Sequence, residues 1–156
     1  MAVYGVGEVE KEAGAFAATL APREGKATLV TLSGDLGAGK TTFVRALLRS
    51  FGVDEGVISP TFVIEKIYPI RDASRSNGAS EPRSRHFERV IHIDAYRLKG
   101  AHELEVLGWR GLVADPRNLV LLEWPERVHE AMPSDALRIT LRYSGTDERE
   151  IIYEKN

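Results

Sequence analysis

Residues 34–41 read Gly-Asp-Leu-Gly-Ala-Gly-Lys-Thr, an ungapped match to G-x-x-x-x-G-K-[ST]. Each fixed position serves phosphate binding. Glycines let the backbone approach an anion with no side chain in the way. The loop N–H groups and the N-terminus of the following helix point at that anion. Lys40 supplies an ammonium for β- and γ-phosphates, and Thr41 a hydroxyl for Mg²⁺. With glycine at about 7% of residues, chance gives such a match in roughly one of two hundred chains this long. The flanking pattern, an apolar run before and a helical period after, is the context a nucleotide site requires. No Asn-Lys-x-Asp occurs and no Asp-x-x-Gly follows, so the usual guanine-reading elements are missing and ATP is favoured over GTP.

Three further segments carry polar groups where a nucleotide site would use them. Ser59-Pro-Thr61-Phe62 follows the helix and enters a strand. Thr61 there resembles a switch threonine ordered by γ-phosphate and Mg²⁺; a plain turn opening a strand is the simpler reading. In His92-Ile-Asp94-Ala-Tyr96-Arg97 a period of two puts His92, Asp94 and Tyr96 on one face. An acid at Asp94 can bind Mg²⁺ through water or orient the attacking water, whereas a solvated edge strand would explain the pattern without chemistry. His92 reads as a structural hydrogen-bonder rather than a base. Glu123 ends the apolar run Leu119-Val-Leu-Leu, where a Walker-B-type acid belongs, holding the Mg²⁺ shell or positioning water. Trp124 follows, as a core-rim aromatic or a neighbour of the nucleotide.

The elements that must position these groups follow from periodicity. Val9, Ala13, Phe16, Ala17 and Leu20 recur at helical spacing before Pro22. Residues 27–33 form a buried β-branched strand, and Phe43, Val44, Leu47, Leu48 and Phe51 make one helical face that stops at Gly52. Residues 62–70 and 89–98 read as an antiparallel pair joined by a polar loop, 71–88, whose arginines and acids leave it at +1. Leu104 and Leu107 predict a short helix ending near Gly108. Residues 118–123 are another buried strand, and 137–143 with 149–153 a closing hairpin.

At 156 residues, 43% apolar and 28% charged, the chain suits one folded domain over 1–156 rather than a disordered segment. A net charge of −2 argues against a dedicated nucleic-acid coat. The absence of cysteine excludes disulfides, thiolate metal sites and a cysteine nucleophile. No apolar window reaches spanning length and no signal peptide is visible, which favours the cytoplasm and no membrane. The expected fold is α/β, a single P-loop NTPase domain built as a three-layer sandwich with a mixed central sheet.

Taken together, residues 34–43, 59–62, 92–98 and 122–127, in this order and spacing, resemble the TsaE (YjeE) family of bacterial ATPases, which serves in making threonylcarbamoyladenosine on tRNA. The resemblance runs from about Val9 to the closing hairpin. It implies ATP binding by Gly37, Ala38, Gly39, Lys40, Thr41 and Thr42, Mg²⁺ held by Thr41 and Glu123, functional roles for Thr61 and Asp94, and Trp124 beside the nucleotide. It also implies partnership with the TsaD and TsaB proteins, with tRNA met indirectly through that complex. A late arginine near the nucleotide would be Arg149, with Arg97 the other candidate. The chain departs from the family at Glu10, which replaces an expected hydroxyl near the nucleotide, and in the length of loop 71–88. Two other functions compete: a small-molecule P-loop kinase, which would need an acceptor pocket and an arginine-rich lid, and a nucleotide-gated binding module that does not hydrolyse. Phosphorylation of an added metabolite would reveal the first, and absence of bulk ADP release the second.

Overall fold

Three apolar runs buried on both faces line up side by side, and a fourth with one exposed, arginine-bearing face flanks them. In the computed structural model, which describes residues 2–53, 64–70 and 86–154, these are β2 (Thr28–Ser33), β4 (Arg89–Asp94), β5 (Asn118–Glu123) and β6 (Leu137–Tyr143). They are parallel, paired β6 to β2, β2 to β5 and β5 to β4. Antiparallel strands complete both ends: β3 (Glu65–Pro69) beside β4, and β7 (Glu148–Glu154) with β1 (Ala2–Gly5) beyond β6. The sheet order is β1-β7-β6-β2-β5-β4-β3, so it is mixed, as expected.

Period two along each strand divides the core into two layers. Val30, Leu32, Val90, Leu119, Leu121, Ile139 and Leu141 face α1 (Val6–Thr19) and α2 (Lys40–Ser50). Leu29, Ile91, Ile93, Val120 and Leu122 face α3 (Ala101–Val106), α4 (Trp109–Ala114) and a 3₁₀ helix (Pro125–Ala131). The result is the three-layer α/β sandwich. Phe43, Val44, Leu47 and Leu48 of α2 are wholly buried, whereas Arg49 is exposed, as the helical period requires.

Three features differ from the sequence expectations. The edge strand β1 is too short to show a period and exists through its long-range pairing with β7. Helix α4, of six residues, and the 3₁₀ element, of seven with a kink at Val128, are too short for their few apolar residues to give a repeat. Strand β4 ends at Asp94 rather than Leu98. It is an interior strand, between β3 and β5, as a buried strand must be, which removes the solvated-edge alternative. Thr61 and most of the 71–88 loop lie outside the described residues. Among the described residues no helix is long and apolar enough to cross a membrane.

Candidate functional site

The carboxyl ends of β2, β4 and β5 meet where α2 begins, and the polar residues gather there. Strand β2 delivers the chain into the turn 34–39. Gly34, Gly37 and Gly39 hold φ at +139°, +76° and +102°, values that disfavour any side chain. A Cβ at Gly34 would lie 2.2 Å from the Leu141 carbonyl oxygen, and one at Gly37 2.5 Å from the Tyr143 hydroxyl. Two of the glycines therefore allow the loop to press against β6. Gly39 is the N-cap of α2 and offers no capping side chain, so among the described residues the first N–H groups of that helix have no side-chain cap. An anion seated in the turn would supply an acceptor.

Lys40 opens α2 and folds back over the loop, where its ammonium donates to the Gly34 and Asp35 carbonyls. It also lies 3.9 Å from the centre of the Trp124 ring. The side chain is buried, at 5% exposure, and burial lowers its pKa against the opposing pull of Glu123, Glu126, Asp94 and Asp35. A desolvated ammonium held by carbonyl oxygens and an aromatic face is a weakly satisfied cation, suited to taking up phosphate oxygens.

Glu123 sits at the end of β5, in register with Leu32 of β2 and Asp94 of β4. Its Oε1 accepts a hydrogen bond from the Thr41 hydroxyl at 3.2 Å. Its Oε2 is buried and has no hydrogen-bond partner among the described residues. Asp94 lies on the same face. Its carboxyl is pushed up by burial, partly offset by the Tyr96 N–H that donates to Oδ1 at 2.9 Å. No three His, Asp or Glu side chains among the described residues form a metal cage of their own. Thr41 and the half-free Glu123 carboxylate nevertheless fit a hard cation that draws its other oxygens from phosphate and water.

Trp124 is the one non-glycine among the described residues with positive φ, at +62°. Its backbone N–H donates to Leu32 O, tying β5 to β2. The strained turn aims the indole across the loop mouth, against Lys40 and the Tyr96 ring 4.9 Å away. Tyr96 has left the strand, so it does not continue the face that carries His92 and Asp94. His92 is fully buried on that face, and neither ring nitrogen has an aligned hydrogen bond among the described residues. Its Nε2 nonetheless approaches Glu123 Oε2 to 3.4 Å.

The remaining candidates separate. Ala38 is buried beneath the loop, and Thr42 occupies the first turn of α2. Glu10 pairs with Arg49 near the far end of α2 at 3.2 Å, away from Lys40. Arg97 is exposed in an open cleft of about 520 Å³ between residues 96–101 and the 3₁₀ helix. Arg149 stacks 4.3 Å over the Tyr143 ring, whose hydroxyl lies 3.5 Å from the Leu36 carbonyl. Arg149 thus reaches the neighbourhood of the loop through Tyr143. Tyr143 itself is not evident from the sequence, because nothing local reveals that β6 lies next to β2.

A family model for "Threonylcarbamoyl adenosine biosynthesis protein TsaE" matches residues 8–151. A Rickettsia bellii protein called "tRNA threonylcarbamoyladenosine biosynthesis protein TsaE" is 34% identical over 143 residues, covering 91% of this chain and 85% of its own. A Streptomyces coelicolor protein of the same name is 40% identical, covering 72% and 67%. The crystal structure of Bacillus subtilis YdiB superposes with a TM-score of 0.65 at 26% identity, covering 97% of this chain and 83% of that one.

Proposed function

The chain belongs to the TsaE family of tRNA threonylcarbamoyladenosine biosynthesis, and from that premise we propose that it binds and hydrolyses ATP with Mg²⁺ in support of threonylcarbamoyl transfer to adenosine 37 of tRNA, acting with the TsaD–TsaB pair. The observation that carries this reading is the Thr41–Glu123 hydrogen bond. It joins the start of the phosphate-loop helix to the strand-end acid, beside a buried Lys40.

In this reading the glycine turn and the first N–H groups of α2 bind the phosphates of ATP, and Gly37 to Thr42 wrap them. The Lys40 ammonium leaves the Gly34 and Asp35 carbonyls for β- and γ-phosphate oxygens, where charge builds as the phosphoryl group transfers. Thr41 and Glu123 would hold Mg²⁺, which supplies electrostatic stabilisation of the phosphate oxygens. Asp94 orients the attacking water, and Thr61 is the switch residue that senses the γ-phosphate. Trp124 covers the loop mouth and limits water around the reacting atoms. Tyr143 and Arg149 flank the loop on its β6 side.

Full electrostatic stabilisation of the transferring group commonly needs an arginine from a partner, worth about 10³–10⁵-fold in P-loop enzymes. The chain alone is therefore a slow ATPase, stimulated by TsaD–TsaB, and the cytoplasm is its place of work. Phosphate release at saturating Mg·ATP, with and without that pair, tests this. Marked stimulation is expected, and equal rates would reject partner activation. Transfer of phosphate to an added metabolite would instead support the kinase.

A further inference from the structure

The face of β4 toward α2 carries a group that the mechanism above leaves idle. His92 is 0% exposed and Glu123 1% exposed. His92 Nδ1, His92 Nε2 and Glu123 Oε2 all lack an aligned hydrogen bond among the described residues. Buried polar atoms without partners are costly, and a cluster of them at one point calls for a specific reason. Here two of them, Nε2 and Oε2, face each other at 3.4 Å. At that separation the pair lacks alignment rather than reach, and a small rotation of the ring or the carboxylate makes the hydrogen bond.

The Glu123 carboxylate is held from two sides. Its Oε1 meets the Thr41 hydroxyl at 3.2 Å, and its Oε2 is turned to His92. Asp94, the other acid on this face, already accepts the Tyr96 N–H. An oxygen-loving Mg²⁺ has little use for imidazole as a direct ligand. A ring N–H behind a ligating carboxylate, by contrast, fixes which oxygen turns to the metal.

We propose that His92 is the positioning residue of the metal site: its Nε2–H donates to Glu123 Oε2 and holds Oε1 toward Thr41 and the cation. This rests on the reading of Glu123 as a Mg²⁺ ligand. The role is mechanical, with the ring carrying its hydrogen on Nε2 throughout. A donor of the same reach should replace it, and an apolar side chain of similar volume should not.

The test uses the full chain with Mn²⁺, followed by electron paramagnetic resonance as a stand-in for Mg²⁺, and a β,γ-imido analogue of ATP. His92→Leu should weaken Mn²⁺ affinity about 10–100-fold, while metal-free affinity for the analogue stays within about twofold of wild type. His92→Gln, whose amide N–H approximates Nε2, should restore most of the loss. If His92→Leu does not fold, His92→Phe serves in its place. In a Glu123→Ala background, replacing His92 should have no further effect on metal affinity. Unchanged Mn²⁺ affinity in His92→Leu, equal losses in the Gln and Leu variants, or full additivity with Glu123→Ala would each overturn the proposal. Unchanged metal affinity in Glu123→Ala alone would instead overturn the metal reading on which it rests.

Discussion

Replacing the glycines of the phosphate loop one at a time should give costs ordered by what each new Cβ meets. At Gly34 the Cβ would stand 2.2 Å from a main-chain oxygen of β6, about 0.8 Å inside the 3.0 Å limit that real Cβ atoms observe. Leu141 is wholly buried in a strand paired on both sides, so it cannot turn away. Positive φ costs an L-residue roughly 1–2 kcal/mol, and forcing extra volume into a packed site adds about 1–3 kcal/mol. Gly34→Ala should therefore lose about 2–5 kcal/mol. At Gly37 the φ of +76° is the milder, left-handed value, and the obstacle is the end of the Tyr143 side chain, which is 50% exposed and able to swing out. Gly37→Ala should lose only about 1–2 kcal/mol, the backbone term alone. At roughly 2–4 °C per kcal/mol for a chain of this size, the melting temperature falls by about 4–20 °C in the first variant and about 2–8 °C in the second. Differential scanning calorimetry without nucleotide measures both. Adding Tyr143→Ala should leave the Gly34→Ala deficit untouched and ease any residual clash in Gly37→Ala. A Gly34→Ala protein that melts within about 2 °C of wild type, or a larger loss at Gly37 than at Gly34, would refute the close approach of the loop to β6.

Other expectations concern charge. Lys40→Ala should lower ATP turnover on the order of 10²-fold or more, because a positioned cation at the γ-phosphate is lost; wild-type turnover would remove the loop from the mechanism. Asp94→Asn should lower turnover while Mg·ATP affinity, followed by calorimetric titration, is largely kept. The same variant should melt above wild type without nucleotide, since it removes a desolvated carboxylate beside Glu123 and keeps the acceptor for Tyr96 N–H; a lower melting point contradicts this. At the turn into β5, Asp115 accepts hydrogen bonds from the Arg117 side chain and N–H and from Arg89. Those bonds, Arg117's foremost, hold its carboxyl well below the ordinary 3.8. A carboxyl depressed on folding stabilises above its unfolded pKa and loses that contribution as pH falls toward the folded value. The melting gap between wild type and Asp115→Asn should thus be widest near neutrality and narrow below about pH 4, and a gap independent of pH would exclude the ion pair as its source.

What was legible in the chain itself was whatever local spacing encodes. The phosphate loop declares itself because its chemistry needs fixed residue types at fixed intervals, and the helices α1 and α2 because a buried face repeats every three to four residues. The runs 28–33, 118–123 and 137–143 are recognisable as strands from their β-branched, apolar character. Glu123 stands out as an acid ending such a run. Tertiary structure alone decided the neighbours. Parallel pairing of β2 with both β5 and β6 brings Glu123 to Thr41 on one side and Tyr143 to Gly37 on the other. No sequence period encodes which strands become adjacent, because strand order depends on how crossovers pack rather than on any one strand. The same holds for β1, whose four residues acquire an extended form only through β7, and for the turn at Trp124, where a β5–β2 hydrogen bond imposes a backbone conformation that tryptophan by itself disfavours. His92 shows the division at one residue. Alternation along β4 puts it on the face of Asp94, but only the placement of β4 beside β5 buries its ring and sets it against Glu123.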